Sequence, residues 1–177
     1  MKPGFDLRNF SFLYCMISIV RRNTDFRKYG IYHVFSRGNR REKIFLTSKD
    51  CMRFELKLKY YSCLCTIEPL VYCLMRNHFH LILRQHEDTS VSALMQRVNL
   101  SHAKYFNTRY RKIGHVFQGR FGAREICDRI DEINTVKYIC ENPVKEGYVN
   151  KWSDYRWLWF DDTRYHTLGD LRTMSLL

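Results

Sequence analysis

A chain of 177 residues can bury a substantial core as one domain, and 45% apolar against 27% charged residues excludes a disordered or fibrous protein. Thirty Lys and Arg against 18 Asp and Glu leave a net charge of +12, which implies a polyanionic partner, nucleic acid before an anionic membrane surface, with a solvated basic face as the alternative. The seven cysteines (15, 51, 63, 65, 73, 127 and 140) are odd in number and form no CxxC pair, which excludes a disulfide framework and a zinc ribbon and fits reduced thiols in the cytoplasm.

In chain order, the apolar run 10–20 (FSFLYCMISIV) is too short to span a membrane, and Arg21-Arg22 follows where a signal peptide needs small residues. It reads as a buried strand or as a non-native extension from an upstream start codon. Residues 30–36 predict a first strand, and 37–43 (RGNRREK) a basic loop with a Gly-Asn turn. Ser48 or Asp50 caps a helix with apolar positions Met52, Leu56, Leu58 and Tyr60, running to about Leu64. Strands follow within 66–75 and 78–84, joined by a tight hairpin at Arg76-Asn77. In the second of these, alternation puts His78 and His80 on one side and Phe79 on the other. Two imidazoles on one rigid face are half of a divalent metal site; the plainer alternative is a pair of polar residues on a half-buried strand.

Ser90 opens a second helix with Val91, Leu94, Met95, Val98 and Tyr105 on one face. Gly114 and Gly119 punctuate an extended segment, and a strand over 121–127 precedes a third helix capped by Asp128 or Asp131. That helix is expected to end near Asn142, because Pro143 disfavours a helical residue before it. The order βαββαβα, without repeat or linker, predicts an α+β fold of one largely antiparallel sheet with helices packed on it. Between Asp88 and Glu125 the chain has no acidic residue but holds Arg97, Lys104, Arg109, Arg111, Lys112, Arg120 and Arg124, interleaved with Tyr and Phe. Cations there can neutralise phosphates, and the aromatics can either stack on bases or fill the core.

On the third helix Tyr138 and Asn142 are four residues apart and share a face, with Cβ atoms roughly 5–6 Å apart. A phenol can be a covalent nucleophile and an amide oxygen a metal ligand. On spacing alone, Tyr138 reads as core and Asn142 as a helix end. Tyr105 and Tyr110 also lie in the basic segment, but Arg109 and Gly114, not ligand-type residues, stand four positions on from them.

Five segments tie these features together: YHVFSRGNR at 32–40, MRNHFHL at 75–81, GHVFQGRF at 114–121, YICENPVK at 138–145 and WSDY at 152–155. From about Tyr29 to Trp157 the chain resembles the HUH-type single-tyrosine transposases, the insertion-sequence family that includes the REP-associated tyrosine transposases. The resemblance implies a ferredoxin-like (RRM-like) antiparallel sheet, helices packed on one face and the histidines on its central strand. It implies Tyr138 as nucleophile and His78, His80 and Asn142 as ligands of Mg2+ or Mn2+, Asn142 standing where related enzymes have Gln. The substrate it implies is single-stranded DNA, often beside a hairpin, nicked and rejoined through a 5′-phosphotyrosine.

Arg37, Arg40, Arg41, Lys112, Arg120 and Arg124 are the candidate DNA contacts. The expected organisation is an N-terminal extension at 1–28, the transposase domain at 29–160 and a tail at 161–177. The expected setting is the bacterial cytoplasm, in association with the nucleoid and with no membrane, as monomer or homodimer. Two other classes stay open: a non-catalytic reader of DNA or RNA hairpins, and a zinc-dependent hydrolase with Glu87 or Glu141 as its base.

Overall fold

Five strands, all paired antiparallel, form the sheet of the computed structural model, which describes residues 25–87 and 90–165. The strands are β1 (Ile31–Arg37), β2 (Ile67–Met75), β3 (His78–Gln85), β4 (Gly122–Ile126) and β5 (Leu158–Phe160), in the spatial order β4-β1-β3-β2-β5. The helices are α1 (Ser48–Leu64), α2 (Val91–Tyr110), α3 (Arg129–Lys145) and a single turn, α4 (Asp162–Tyr165). The predicted α+β fold and the central place of the histidine strand are both found. The apolar run 10–20 and the tail from 166 lie outside the described residues.

β3 is buried from both sides. Phe79, Leu81 and Leu83 join the larger core with Phe54 and Leu58 of α1 and Leu94, Met95 and Val98 of α2. Ile82 joins a second core with Val136, Ile139 and Cys140 of α3. Helices were expected on one face; α1 and α2 do share a face, but α3 lies on the opposite one. It carries its own apolar stripe, and the even-numbered side of β3 offers the matching surface.

Three local readings are corrected. The N-cap of α1 is Thr47, and Asp50 instead reaches back to accept the N–H groups of Leu46 and Thr47, each at 2.8 Å. The buried face of α1 is Cys51, Phe54, Leu58 and Ser62, whereas Met52, Leu56 and Tyr60 are exposed. Met52, Leu56, Tyr60 and Leu64 are spaced by four and form a second apolar stripe, so either set satisfied helical periodicity.

The third correction is that α3 runs through Pro143 to Lys145. It is closed by a left-handed Gly147 (φ +71), with Gly147 N–H donating to Val144 O and Tyr148 N–H to Pro143 O, both at 2.9 Å. That is the two-bond glycine cap of a helix C-terminus, and it sets the end that proline does not.

The packed unit also exceeds its expected limits. Phe26 meets Tyr32 edge-on at 4.8 Å, and the buried Tyr165 donates to Glu132 at 2.6 Å, so residues on both sides of 29–160 belong to the domain. Among the described residues no helix is long and apolar enough to cross a membrane.

Phe79 is fully buried between Phe54 at 4.9 Å and Phe117 at 6.2 Å. Phe79→Ala should therefore cost about 3–5 kcal/mol in urea unfolding, while Leu56→Ala on the outward stripe should stay within about 0.5 kcal/mol. Comparable losses from the two would contradict this assignment of faces.

Candidate functional site

The second face of the sheet is assembled by register. β3 pairs with β1 so that Arg37 stands opposite His78, Phe35 opposite His80 and His33 opposite Ile82. β2 brings Met75 opposite His78 and Cys73 opposite His80, and β4 brings Arg124 opposite His33 and Gly122 opposite Phe35. A Cβ at position 122 would collide with the Phe35 ring, so glycine leaves room for that ring beside β4. His33, His78 and His80 thus share one face, and α3 lies over it.

Tyr138 of α3 meets His80 edge-on with ring centres 5.6 Å apart and His33 at 6.2 Å. Asn142, one turn on, is nearly buried and donates its Nδ2 to the Tyr138 carbonyl at 2.8 Å, leaving Oδ1 as the atom of that amide able to accept or ligate. The structure therefore brings Tyr138 to the histidines. Tyr105 and Tyr110 instead both donate to the buried Asp50, at 2.9 and 2.8 Å, from the α1–α2 side.

The imidazoles are in the neutral form that ligation requires. Burial pushes His33 down to about 3, with the Arg124 cation adding to it. Burial also holds His80 well below the ordinary imidazole value, and the neighbouring His33 and His78 act in the same direction. His78 is lowered by burial too, against an opposing pull from Glu146. Each Nδ1 already faces a partner: His78 Nδ1 lies 2.7 Å from Asn77 Oδ1, and His80 Nδ1 lies 3.0 Å from His33 Nε2.

A divalent ion of the kind the resemblance implies fits this donor set: two imidazoles whose Nε2 has no hydrogen-bond partner among the described residues, and one amide oxygen. Among the described residues no group of three or more His, Cys, Asp or Glu is arranged to hold a metal, so a closed Cys/His zinc shell has no counterpart here. Glu87 pairs with Lys28 at 3.1 Å and Glu141 with Lys145 at 2.7 Å, and both are exposed, which removes these two carboxylates as the base of the hydrolase reading. The neighbouring thiols are equally unsuited, since burial raises Cys73 and pushes Cys140 up to about 12.

The basic candidates divide. Arg37, Arg40, Arg41, Lys112 and Arg120 are exposed. Their segments are laced together at the His78 end of β3: Gly38 N–H donates to Asn77 O, Asn39 N–H to Val116 O and Gln118 N–H to Arg37 O. Gly38 is required, because a Cβ there would meet the carbonyl of Glu42. Lys112 pairs with the exposed Glu42 at 3.2 Å.

Arg124 does not join this surface. Its guanidinium donates to Asp131 Oδ2 and Thr135 Oγ1, each at 2.7 Å, and so fastens α3 to the sheet one turn before Tyr138. Three residues near the site were not singled out from sequence. His33 carried the signal of a second histidine on the inner face of a predicted strand. Arg76 lies over the Tyr148 ring at 5.5 Å and Lys145 over the Tyr138 ring at 5.7 Å, and neither had a sequence signal.

Residues 27–142 match the family described as IS200-like transposases. A relative from Haemophilus influenzae that carries the name REP-associated tyrosine transposase is 29% identical over an alignment of 145 residues that covers 74% of this chain and 80% of the relative. A solved structure of a REP-associated tyrosine transposase bound to a REP hairpin superposes with a TM-score of 0.65 over 79% of this chain and 82% of that one. At 21% identity, this is a likeness of fold.

If Arg124 is a helix clamp, Arg124→Ala should lower the free energy of unfolding by about 1–3 kcal/mol, because it strips charge-assisted bonds from partly buried acceptors. The exposed Arg40→Ala should change it by less than about 0.5 kcal/mol. Equal, small effects in urea titrations of the two variants would contradict the clamp.

Proposed function

The chain belongs to the IS200-like transposase family, and from that premise we propose that it is a metal-dependent DNA strand transferase acting on single strands beside a hairpin. The observation that carries the reading is the seating of Tyr138 edge-on against His80, on a helix held over the histidine strand. The REP-hairpin complex of the structurally similar protein supports the choice of substrate.

In this reading His78 and His80, through Nε2, and Asn142, through Oδ1, would hold Mg2+ or Mn2+. When bound, the ion supplies Lewis-acid polarisation of a non-bridging oxygen of the scissile phosphate. An N,N,O set with open positions suits these ions better than structural zinc.

Tyr138 Oη attacks phosphorus and loses its proton. The bond from phosphorus to the 3′-oxygen breaks, and that oxygen leaves as a 3′-hydroxyl after taking up a proton. The product is a 5′-phosphotyrosyl bond to the protein. Attack by another 3′-hydroxyl reverses the step and rejoins the strand with no nucleotide cofactor, because the linkage keeps the energy of the phosphodiester. A free phenol, with a pKa near 10, is a poor nucleophile. The Lys145 ammonium near its ring favours the developing phenolate.

The exposed cations Arg37, Arg40, Arg41, Lys112 and Arg120 would follow the phosphates of the flanking strand or hairpin stem. Arg40 and Arg41 both adopt left-handed backbone (φ 51 and φ 61) in a tight turn, and both side chains are exposed. Binding that works by phosphate neutralisation weakens steeply with salt. Paired DNA would have to open to reach Tyr138 and the histidines, at a cost of a few kcal/mol.

The test uses a single-stranded oligonucleotide carrying a hairpin, incubated with Mg2+ or Mn2+ and run on a denaturing gel. Wild type should form a covalent adduct, and a matched duplex should give little. Tyr138→Phe, His78→Ala, His80→Ala or excess chelator should abolish the adduct, and the variants should still bind the hairpin. An adduct from Tyr138→Phe would sink the nucleophile assignment, and undiminished nicking in chelator the metal. Hairpin binding by wild type without any adduct would identify a non-catalytic reader instead.

A further inference from the structure

We infer that His33 is the positioning residue of His80: it accepts the proton on His80 Nδ1 and so keeps Nε2 as the ligating lone pair. The inference rests on the ligand set proposed above. In the β1–β3 register His33 is offset by two positions from the partner of His80, and its ring leans across the strands to meet that imidazole edge to edge, with 5.2 Å between centres and 29° between planes. Its Nε2 closes to 3.0 Å from His80 Nδ1, and both residues are buried.

One hydrogen lies between the two nitrogens, and its owner decides what His80 can do. If His80 donates, its Nε2 is unprotonated and can bind a cation. If His33 donates, the proton of His80 sits on Nε2 and blocks it. His78 faces no such choice: Asn77 Oδ1, 2.7 Å from His78 Nδ1, only accepts, and so fixes the proton on that nitrogen. The two ligands therefore take their tautomers from different partners, a pure acceptor for one and an ambivalent ring for the other.

A cation at His80 Nε2 drives the proton to Nδ1, where His33 Nε2 is the acceptor within reach. Partners that orient a metal-bound histidine in this way typically contribute 10–100-fold to metal affinity. The buried ring of His33 is otherwise an expensive choice, since an aromatic hydrocarbon would fill the same space without a polar atom to satisfy.

Calorimetric titration of the full chain with Mn2+, without DNA, reads this role independently of catalysis. His33→Phe keeps the ring volume but removes the acceptor, and should weaken Mn2+ binding by about 10–100-fold. His33→Gln offers an amide oxygen near the position of Nε2 and should recover most of that loss. Wild-type affinity in the Phe variant would overturn the inference while leaving the ligand set intact. No Mn2+ binding by wild type would remove the ligand set and the inference together. Should the Phe variant fail to fold, long-range proton–nitrogen correlation of the wild type with Mg2+ decides: a proton on His80 Nδ1 supports the role, and a proton on Nε2 overturns it.

Discussion

Everything at the site depends on β3 being packed from both sides, so that each step along the strand alternates between two cores. Phe79, Leu81 and Leu83 face α1 and α2, while His78, His80 and Ile82 face α3. A slip of one residue would exchange the two sets and bury histidines among the aromatics of the larger core. The apolar side resists that exchange, since Phe79 is held by Phe54 and Phe117. The turn before the strand is pinned as well. Backbone N–H groups of Gly38, Ile44 and Phe45 all donate to the carbonyls of Arg76 and Asn77. The same bonds that fix the register of His78 and His80 hold the basic loop at the mouth of the site.

The second requirement is the docking of α3, which carries Tyr138 and Asn142. Its apolar stripe gives the adhesion, and polar bonds give the position. Arg124 fixes the helix through Asp131 and Thr135. On the other side of its first turns, the buried Glu132 receives two bonds from Arg164 and one from Tyr165, all between 2.6 and 2.7 Å. A buried carboxylate satisfied by a guanidinium and a phenol is costly to break, because losing Arg164 strips it of two charge-assisted bonds. This rigid attachment lets a residue on a separate helix be presented to side chains on a strand. The resulting site is buried at His33 and His80 and half-buried at His78 and Tyr138.

Much of this was legible in the sequence, because local rules and tertiary packing agree over most of the chain. The boundaries of the four expected strands fell within a residue or two, the short edge strand β5 was not anticipated, and the alternation of His-Phe-His placed two ligand candidates on one face before any partner strand was known. The misreadings have identifiable causes. In α1 two apolar stripes compete, and only the position of the sheet decides that Phe54 and Leu58 face inward rather than Leu56 and Tyr60. At the end of α3 the local penalty of Pro143 is outweighed by the Gly147 cap and by burial of the proline itself. Arg124 carried the same charge as its neighbours, and sequence alone could not show that Asp131 and Thr135 of the next helix claim it. His33 was visible as a strand residue, but its meeting with His80 depends on which strands are neighbours and in what register.

In the proposed reaction Tyr138, rather than another phenol, meets the scissile phosphate. The most direct measurement is mass spectrometry of the trypsin-digested adduct formed on a single-stranded hairpin oligonucleotide. Cleavage after Lys137 and Lys145 isolates residues 138–145 as one peptide holding a single tyrosine. The nucleotide mass is expected on that peptide, with fragmentation locating it at Tyr138. The same mass on the peptide carrying Tyr105 or Tyr110 would contradict it, since their hydroxyls are bonded to Asp50 on the opposite face of the sheet.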